Sequence, residues 1–258
     1  MGRVVLAEVL PANIFVFLAV FARIGAALML MPPFGESFVF PRVRLALALL
    51  VSAVAMPIAA PSLPALPPGP LALTVILAGE VTVGLLIGGL ARMLLSGLHT
   101  ASMLVAYQTG LAAATIFDPT QNEQGVILSR FFSLIALVLL FATDLHHALL
   151  LALIESYRLL PPGGLPPVGD FAAQAIAFMT GAFIVALQVA APVIVVGLMF
   201  YLGLGLVARL MPAVQVFFIA LPLQVLLGFW ITMVALSATM LWYFEYFEDG
   251  IAALLVGG

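Results

Sequence analysis

Residues 171–208 read FAAQAIAFMTGAFIVALQVAAPVIVVGLMFYLGLGLVA and contain no charged side chain. A membrane-spanning helix needs about 20 apolar residues, so this stretch is long enough to cross a bilayer. As one straight helix it would extend roughly 57 Å, at about 1.5 Å per residue, whereas the hydrocarbon core of a bilayer is about 30 Å thick. The stretch therefore predicts a helix that bends, breaks or leaves the membrane.

Other long stretches are equally free of charged side chains, and they cover residues 45–79, 93–117 and 210–244. Pro192 lies inside the stretch quoted above, and Pro212 and Pro222 lie inside the last one. A proline in a helix interior removes one backbone hydrogen bond and clashes with the preceding turn. Kinks or hairpin turns are expected at these prolines.

The composition of the whole chain also indicates an integral membrane protein. Of its 258 residues, 65% are hydrophobic and 7% are charged, and the mean hydropathy is +1.31. Soluble domains carry about 25% charged residues, so this chain lacks the polar surface of a globule in water. The net charge of −3 is scattered, which excludes nucleic acid as a partner. Cys is absent, which excludes disulfides and Cys-ligated metals.

The patterning predicts an all-α membrane protein, with one domain over residues 1–258. Six apolar helical blocks lie near residues 12–31, 43–60, 71–96, 126–158, 171–207 and 213–247. Residues 61–70 and 161–170 are rich in proline and glycine and predict exposed loops. The first block is followed by no signal-peptide cleavage pattern, so we expect it to be retained.

Two charged residues, Arg23 and Glu80, fall in the middle of apolar blocks. A charge at the centre of a bilayer costs at least about 2.5 kcal/mol, so each side chain should face protein or water. The favoured interpretation is a buried structural pair or a contact with a partner subunit that supports assembly. A proton or ion pathway is the alternative, although the long final blocks supply no chain of ionisable groups for it.

Three other patterns bear on function. Asp144, His146 and His147 lie close to Glu155, but the spacing matches no known metal motif, so a helix terminus or a subunit contact is favoured over a metal site. The absence of a GxSxG motif argues against serine hydrolysis, with an intramembrane protease as the enzyme alternative. Gly84 and Gly88 are four residues apart, which is typical of two helices packing closely.

The segment QTGLAAATIFDPTQNEQ, residues 108–124, follows a charge-free stretch and turns polar at Asp118. The Asp-Pro pair favours a turn, because proline disfavours the helical conformation of the residue before it. The segment is either an ordinary loop between helices or a re-entrant element. A re-entrant element is tolerated at membrane depth only where it is buried in protein or lines an aqueous cavity.

Four stretches together resemble one known family in their order along nearly the whole chain. They are FARIGAALMLMPPFGESFVFPRVRLALALLVSAVAMP (21–57), GEVTVGLLIGGLARML (79–94), YQTGLAAATIFDP (107–119) and ARLMPAVQVFFIALPLQVLLGF (208–229). This order is similar to that of the FliR/SctT family of type III secretion export-gate subunits. The chain departs from the family pattern at Ala213 and Gln215, where Gln and Asn are frequent, and at Gln224, where Lys is usual.

The resemblance implies a subunit of a helical export gate built with FliP-like and FliQ-like membrane subunits and accompanied by a FlhB-like subunit. It places the protein in the bacterial inner membrane, at the flagellar basal body. The family's loop that matches residues 108–124 plugs the closed gate, so by similarity gating falls on Gly110, Leu111, Ile116, Phe117 and Asp118. Apolar side chains in a narrow pore exclude water and ions.

The expected function is therefore a non-enzymatic part of the channel through which unfolded flagellar subunits are exported. No cofactor or metal is expected, and the absence of a nucleotide-binding motif agrees with energy supplied by other components. The alternatives are a subunit of an injectisome, as in the SctT branch of the family, or an autonomous small-solute transporter. Transporters often show repeated halves, and the sequence contains no repeat.

Overall fold

The computed structural model of the chain describes residues 2–110, 124–164, 168–211 and 216–256, and in them it contains helices and no strand. Within these residues there are seven α-helices, with these bounds: α1 Gly2–Leu30, α2 Pro41–Ala59, α3 Pro70–Gln108, α4 Gln124–Ala142, α5 Leu145–Leu159, α6 Val168–Leu210 and α7 Val216–Val256. A short 3₁₀ helix, Ala60–Ser62, follows α2. The predicted all-α fold class is confirmed.

Most of the described helices are long and apolar enough to cross a membrane. Five of them pass a test of length and hydropathy, and the bent pair α4 and α5 adds a sixth candidate span. Large apolar side chains also point outward along them, for example Ile176, Met179 and Phe183 of α6. Exposure on this scale is incompatible with a water-soluble monomer, and lipid or protein neighbours are required to cover it. The chain is embedded in the membrane.

Prolines and one charged side chain fix the connection between α1 and α2. Pro41 occupies the first turn of α2, where its missing N–H has no helical acceptor to lose. Arg44 donates from Nε to the carbonyl of Phe34 (3.0 Å) and from Nη2 to the carbonyl of Glu36 (2.9 Å). Gly35 lies so close to the end of α1 that an added Cβ would be 2.6 Å from the carbonyl oxygen of Met29. The turn Met31–Val39 is thereby held against both helices.

Two of the predicted blocks have different bounds in the structure. The block at 126–158 is wrong as a single helix, because α4 and α5 meet at 75° around Asp144. Asp144 adopts a left-handed backbone (φ 59°), which a short polar side chain tolerates and which interrupts a helix. The block at 71–96 is too short, because α3 continues to Gln108. Thr100 and Ser102 stay in α3 by donating to the carbonyls of Ser96 and His99.

The hairpin turns considered at Pro192 and Pro222 are not formed. Helix α6 continues through Pro192 for 43 residues, and α7 continues through Pro222 for 41 residues. In an apolar helix the backbone groups freed by one proline find other partners, so the helix does not have to end there. Helix α6 is roughly 64 Å long at about 1.5 Å per residue, about twice the thickness of the hydrocarbon core. Pro212 lies outside the described residues.

The chain divides into two compact units. The first unit contains residues 1–94, 140–178 and 249–258, and the second contains residues 95–139 and 179–248. The long helices α3, α6 and α7 contribute to both units. The apolar core of the first unit includes Ile24, Leu28, Leu94 and Leu149, each fully buried. The assignment of the whole chain to one domain remains a prediction.

Candidate functional site

The polar centre of the first unit is a buried ion pair between Arg23 of α1 and Glu80 of α3. Nε of Arg23 lies 2.8 Å from Oε2 of Glu80, and Nη2 lies 3.1 Å from Oε1, so the guanidinium and the carboxylate form a bidentate salt bridge. Only 1% of Arg23 and 2% of Glu80 is exposed. The two charges that the sequence placed in apolar blocks are therefore brought together within the chain, away from solvent.

The end of α5 supplies the remaining acceptors for Arg23. Nη1 donates to the backbone oxygen and to Oγ of Ser156 (3.1 and 3.2 Å), and Nη2 also donates to the carbonyl of Leu160 (2.9 Å). A guanidinium carries five N–H donors, and the contacts to Glu80, Ser156 and Leu160 number five in all. Every donor thus has an acceptor, which is the condition under which a buried charge is tolerated.

Tyr157 closes the same cluster on another side. The guanidinium carbon of Arg23 lies 4.2 Å from the centre of the Tyr157 ring, within the range of a cation–π contact. The hydroxyl of Tyr157 donates to the carbonyl of Val20 in α1 (3.3 Å). We refer to Arg23, Glu80, Ser156 and Tyr157 as the Arg23 cluster. It joins α1, α3 and α5 through side chains that are all buried.

Gly84 and Gly88 lie where the backbone of α3 packs directly against that of α1. A Cβ added to Gly84 would collide with the carbonyl oxygen of Arg23, and a Cβ added to Gly88 would lie 2.5 Å from the carbonyl oxygen of Ala27. Real Cβ atoms do not approach this closely, so any side chain there would push the helices apart. The two glycines let the α3 backbone come near enough for Glu80 to reach Arg23.

A cavity of about 220 Å³ lies in the first unit beside the Arg23 cluster. Ser156 and Leu160, two acceptors of Arg23, contribute to its wall together with Asp170 and Gln174. Gln174 donates to the backbone oxygen of Ala253 (3.4 Å), which ties α6 to α7 at this edge. Part of the cavity wall is polar. Arg23 and Glu80 are not among its lining residues, and their charges are paired with each other.

The second unit contains a different polar contact, at the carboxyl end of α3. Gly110 has φ +75°, the left-handed conformation in which helices commonly end at glycine. Gln224 of α7 is 7% exposed and donates from Nε2 to the carbonyl of Gln108 (2.9 Å) and to the hydroxyl oxygen of Tyr201 in α6 (2.8 Å). This polar junction, defined as Gln108, Tyr201 and Gln224, connects three helices.

A second set of hydrogen bonds in this unit joins α3 to α4. The hydroxyl oxygens of Ser102 and Ser129 are 2.5 Å apart, and Oγ of Ser129 lies 3.0 Å from Nδ1 of His99. Ser102 also donates to the carbonyl of His99. These buried hydroxyls satisfy one another between apolar helices. No sequence pattern groups the three residues, because they are isolated polar positions in apolar stretches.

The structure reaches only one of the five residues predicted to form a plug. Gly110 is described, and a Cβ added to it would lie 3.4 Å from the side-chain amide of Gln224. Leu111, Ile116, Phe117 and Asp118 lie outside the described residues, so their role remains a prediction.

Sequence reasoning also missed Ser156, Tyr157 and Tyr201. Gln224 was noticed only as a departure from the family pattern.

Asp144, His146 and His147 are the described residues that come nearest to a metal-ligand set. They lie at the bend between α4 and α5, with their ligand atoms within 4.8 Å of one another. Oδ1 of Asp144 is 3.5 Å from Nδ1 of His147, and both side chains are about three-quarters exposed. Asp144 immediately precedes α5, so it lies at a helix terminus, which is the interpretation that the sequence favoured. No hydrogen bond from its side chain caps the helix.

Comparison with known proteins adds a family to this geometry. Residues 14–250 match the family described as "Bacterial export proteins, family 1". The "Flagellar biosynthetic protein FliR" of Caulobacter vibrioides is 37% identical over 237 residues, which cover 92% of this chain and 94% of that protein. The protein of the same name from Escherichia coli is 29% identical over 80% of this chain and 78% of its own length. The "Yop proteins translocation protein T" of Yersinia pestis is 27% identical over 59% of each chain.

Proposed function

Since the chain belongs to the family of bacterial export proteins, family 1, we propose that it is a channel-forming subunit of the flagellar type III protein export gate. The coarser assignment, to a membrane-embedded component of a type III export apparatus, follows from the family and from the apolar helices. The proposal adds that the subunit is non-enzymatic and lies in the bacterial inner membrane, at the flagellar basal body. Its substrates would be unfolded flagellar subunits.

One observation carries the proposal. The match to a flagellar biosynthetic protein extends over 92% of this chain and 94% of the relative, at 37% identity. The match to the Yersinia translocation protein covers 59% of each chain at 27% identity. Flagellar use is therefore favoured over use in an injectisome, which remains the second candidate because that relative is named for translocation.

Assembly with FliP-like and FliQ-like subunits, and with a FlhB-like subunit, is the second part of the proposal. The support is physical: helices α6 and α7 are too long for a simple bilayer span, and their outward apolar side chains need cover along more than the thickness of the hydrocarbon core. Neighbouring membrane subunits would supply that cover.

Co-expression with candidate FliP-like and FliQ-like proteins, followed by mass measurement of the extracted complex, tests this part. We expect the chain to be recovered as one component of a hetero-oligomer of defined mass, and to aggregate when it is expressed alone. A stable, monodisperse chain that binds a small solute without partners would contradict the gate and favour the transporter.

The third part of the proposal is that the segment after Gly110, including Leu111, Ile116, Phe117 and Asp118, plugs the closed channel. Apolar side chains in a narrow passage exclude water and ions, and the segment begins directly after Gly110, whose left-handed backbone is typical of a helix end. Deletion of residues 112–117 should then make membranes that contain the complex leaky to ions and small solutes. The matched control is deletion of six residues, 62–67, from the exposed proline-rich loop after α2.

Both deletions are compared at equal incorporation into the complex, measured by mass. We expect a leak only from the deletion of residues 112–117. If that variant incorporates normally and the membrane stays tight, the plug is assigned to the wrong segment. If the loop control leaks equally, the leak reports general damage to the complex.

A further inference from the structure

We propose that Gln224 is a positioning residue for the channel, and that with Tyr201 it forms a latch holding the carboxyl end of α3, Gln108–Gly110, in its resting position. The inference rests on the proposed function only where it concerns leakage, because the residues after Gly110 are the proposed plug. The latch itself is argued from described residues of the second unit alone.

The first argument is the hydrogen bonding of Gln224. The last carbonyls of an α-helix lack partners within the helix, and Gln108 is the last residue of α3. Nε2 of Gln224 donates one hydrogen to that carbonyl (2.9 Å) and the other to the hydroxyl oxygen of Tyr201 (2.8 Å). Both donors of the amide are used. Gln224 is only 7% exposed, so loss of its amide would leave the Gln108 carbonyl without a ready replacement for that hydrogen bond.

The second argument is that α6 and α7 pack closely on the carboxyl end of α3, at Gln108 and Thr109. A Cβ added to Gly197 of α6 would lie 2.9 Å from the side-chain oxygen of Gln108, and one added to Gly228 of α7 would lie 2.8 Å from Cβ of Thr109. Thr109 is 1% exposed. Both helices therefore have a glycine where the end of α3 lies. This close packing defines one position for the end of α3.

The third argument is the kind of bond used. The latch is a neutral amide with two hydrogen bonds, whereas the Arg23 cluster holds α1, α3 and α5 with an ion pair and five donors. Loss of two neutral hydrogen bonds changes an equilibrium by about 5–30-fold, which is small enough for a conformational step to be reversible. A contact of this strength suits a part that is held at rest and released during export.

The test uses a single thiol in the intact complex. The chain contains no Cys, so Thr109→Cys introduces the only thiol of this subunit, and mass spectrometry separates its labelling from that of other subunits. The side chain at position 109 is buried, so labelling by a small permeant thiol reagent should be slow. Adding Gln224→Leu removes both donors at similar volume and should raise the labelling rate about 5–30-fold. Tyr201→Phe removes one acceptor and should raise it a few-fold.

A second measurement needs no Cys. The amides of Thr109 and Gly110 donate to the carbonyls of Val105 and Tyr107, so their hydrogen exchange reports the seating of this end. Gly228→Ala forces a methyl group against Thr109 and should speed exchange in the peptide that covers residues 104–110. The matched control is Gly203→Ala on α6, where an added Cβ meets nothing within 4 Å. Exchange in that control should equal the parent.

A leakage assay on proteoliposomes then distinguishes failure of the latch from failure of the proposed function. If Gln224→Leu raises labelling of position 109 and also leaks dye from proteoliposomes, the inference stands. Unchanged labelling of position 109 in Gln224→Leu overturns the latch, whatever the deletion of residues 112–117 does. Unchanged exchange in Gly228→Ala overturns the close packing of α7 on Thr109. Faster labelling without a leak, in a complex that the deletion does make leaky, overturns the control of the channel by Gln224. A tight deletion variant overturns the plug instead, and labelling still decides the latch.

Discussion

Replacing Glu80 by Gln should destabilise the protein by about 3–5 kcal/mol, the range for removing one partner of a buried ion pair. The reason is that Arg23, which is 1% exposed, would remain charged after losing the carboxylate that neutralises it. Gln has the size of Glu but only one acceptor oxygen, so one of the two Arg23 nitrogens now bonded to Glu80 would face an amide hydrogen. A free-energy change of about 1.4 kcal/mol alters an equilibrium constant tenfold, so the ratio of folded to unfolded protein should fall by roughly 10²-fold to 4 × 10³-fold.

The matched control is the same substitution in an exposed ion pair. Glu155 lies 3.1 Å from Arg158, three residues along α5, and the Arg158 side chain is 79% exposed. Exposed pairs of this kind contribute about 0–1 kcal/mol, so Glu155→Gln should behave almost as the parent. Each variant is co-expressed with the partner subunits, and the assay measures the yield of complex and the temperature at which half of it is lost.

A double variant separates charge from packing. Arg23→Met with Glu80→Leu removes both charges at similar volume, and replacement of a buried ion pair by apolar residues is often neutral. We expect the double variant to be recovered in higher yield than Glu80→Gln, although the carbonyl of Leu160 loses the donor that Arg23 provides.

Two results would refute this reasoning. If Glu80→Gln and Glu155→Gln lose the complex at the same temperature, the buried pair does not stabilise the fold. If Glu80→Gln assembles at the parental yield but transport is lost, the carboxylate acts in a relay, which is the alternative interpretation of Arg23 and Glu80.

Three further predictions use the same thermal assay. Gly84→Ala should destabilise by about 1–3 kcal/mol because its methyl group would collide with the carbonyl of Arg23, whereas Gly89→Ala, which meets nothing within 4 Å, should be neutral or stabilising by up to about 1 kcal/mol. Tyr157→Phe should cost about 1 kcal/mol, since it removes one hydrogen bond and keeps the ring against Arg23. Asp144→Asn should change stability by less than about 0.5 kcal/mol, because the side chain is 77% exposed and Asn also tolerates a left-handed backbone. Equal losses for Gly84→Ala and Gly89→Ala would contradict the close contact between α1 and α3.

The sequence predicted the helices well where charge-free length decides the structure. It failed at Asp144, because a left-handed residue at a polar position within an apolar stretch has no proline or glycine to mark it. Hairpin turns, one of the two outcomes expected at Pro192 and Pro222, do not form, because a long apolar helix tolerates the loss of one backbone bond. The sequence prediction ended α3 too early, because Thr100 and Ser102 are polar but bond to the carbonyls of their own helix.

The sequence located the charges of the site but not their partners. Glu80 is 57 residues from Arg23, and Ser156 is 133 residues away, so no helical period connects them. Gln224 is 116 residues from the carbonyl of Gln108 that it binds. Such contacts depend on which helices pack together, and that is decided by the three-dimensional arrangement of the apolar faces. A polar residue in an apolar stretch predicts that a partner exists, and only the structure identifies it.

The two polar sites differ in a way that predicts how their variants will behave. In the first unit, a fully bonded guanidinium holds three helices, and leaving that charge unpaired would cost about 3–5 kcal/mol. In the second unit, a neutral amide holds the end of α3 with two bonds, each contributing about 1 kcal/mol. Damage to the first should therefore appear as loss of the complex, because no partly assembled state tolerates an unpaired buried charge. Damage to the second should leave the complex assembled and change its permeability, because two neutral bonds are too weak to determine whether it forms.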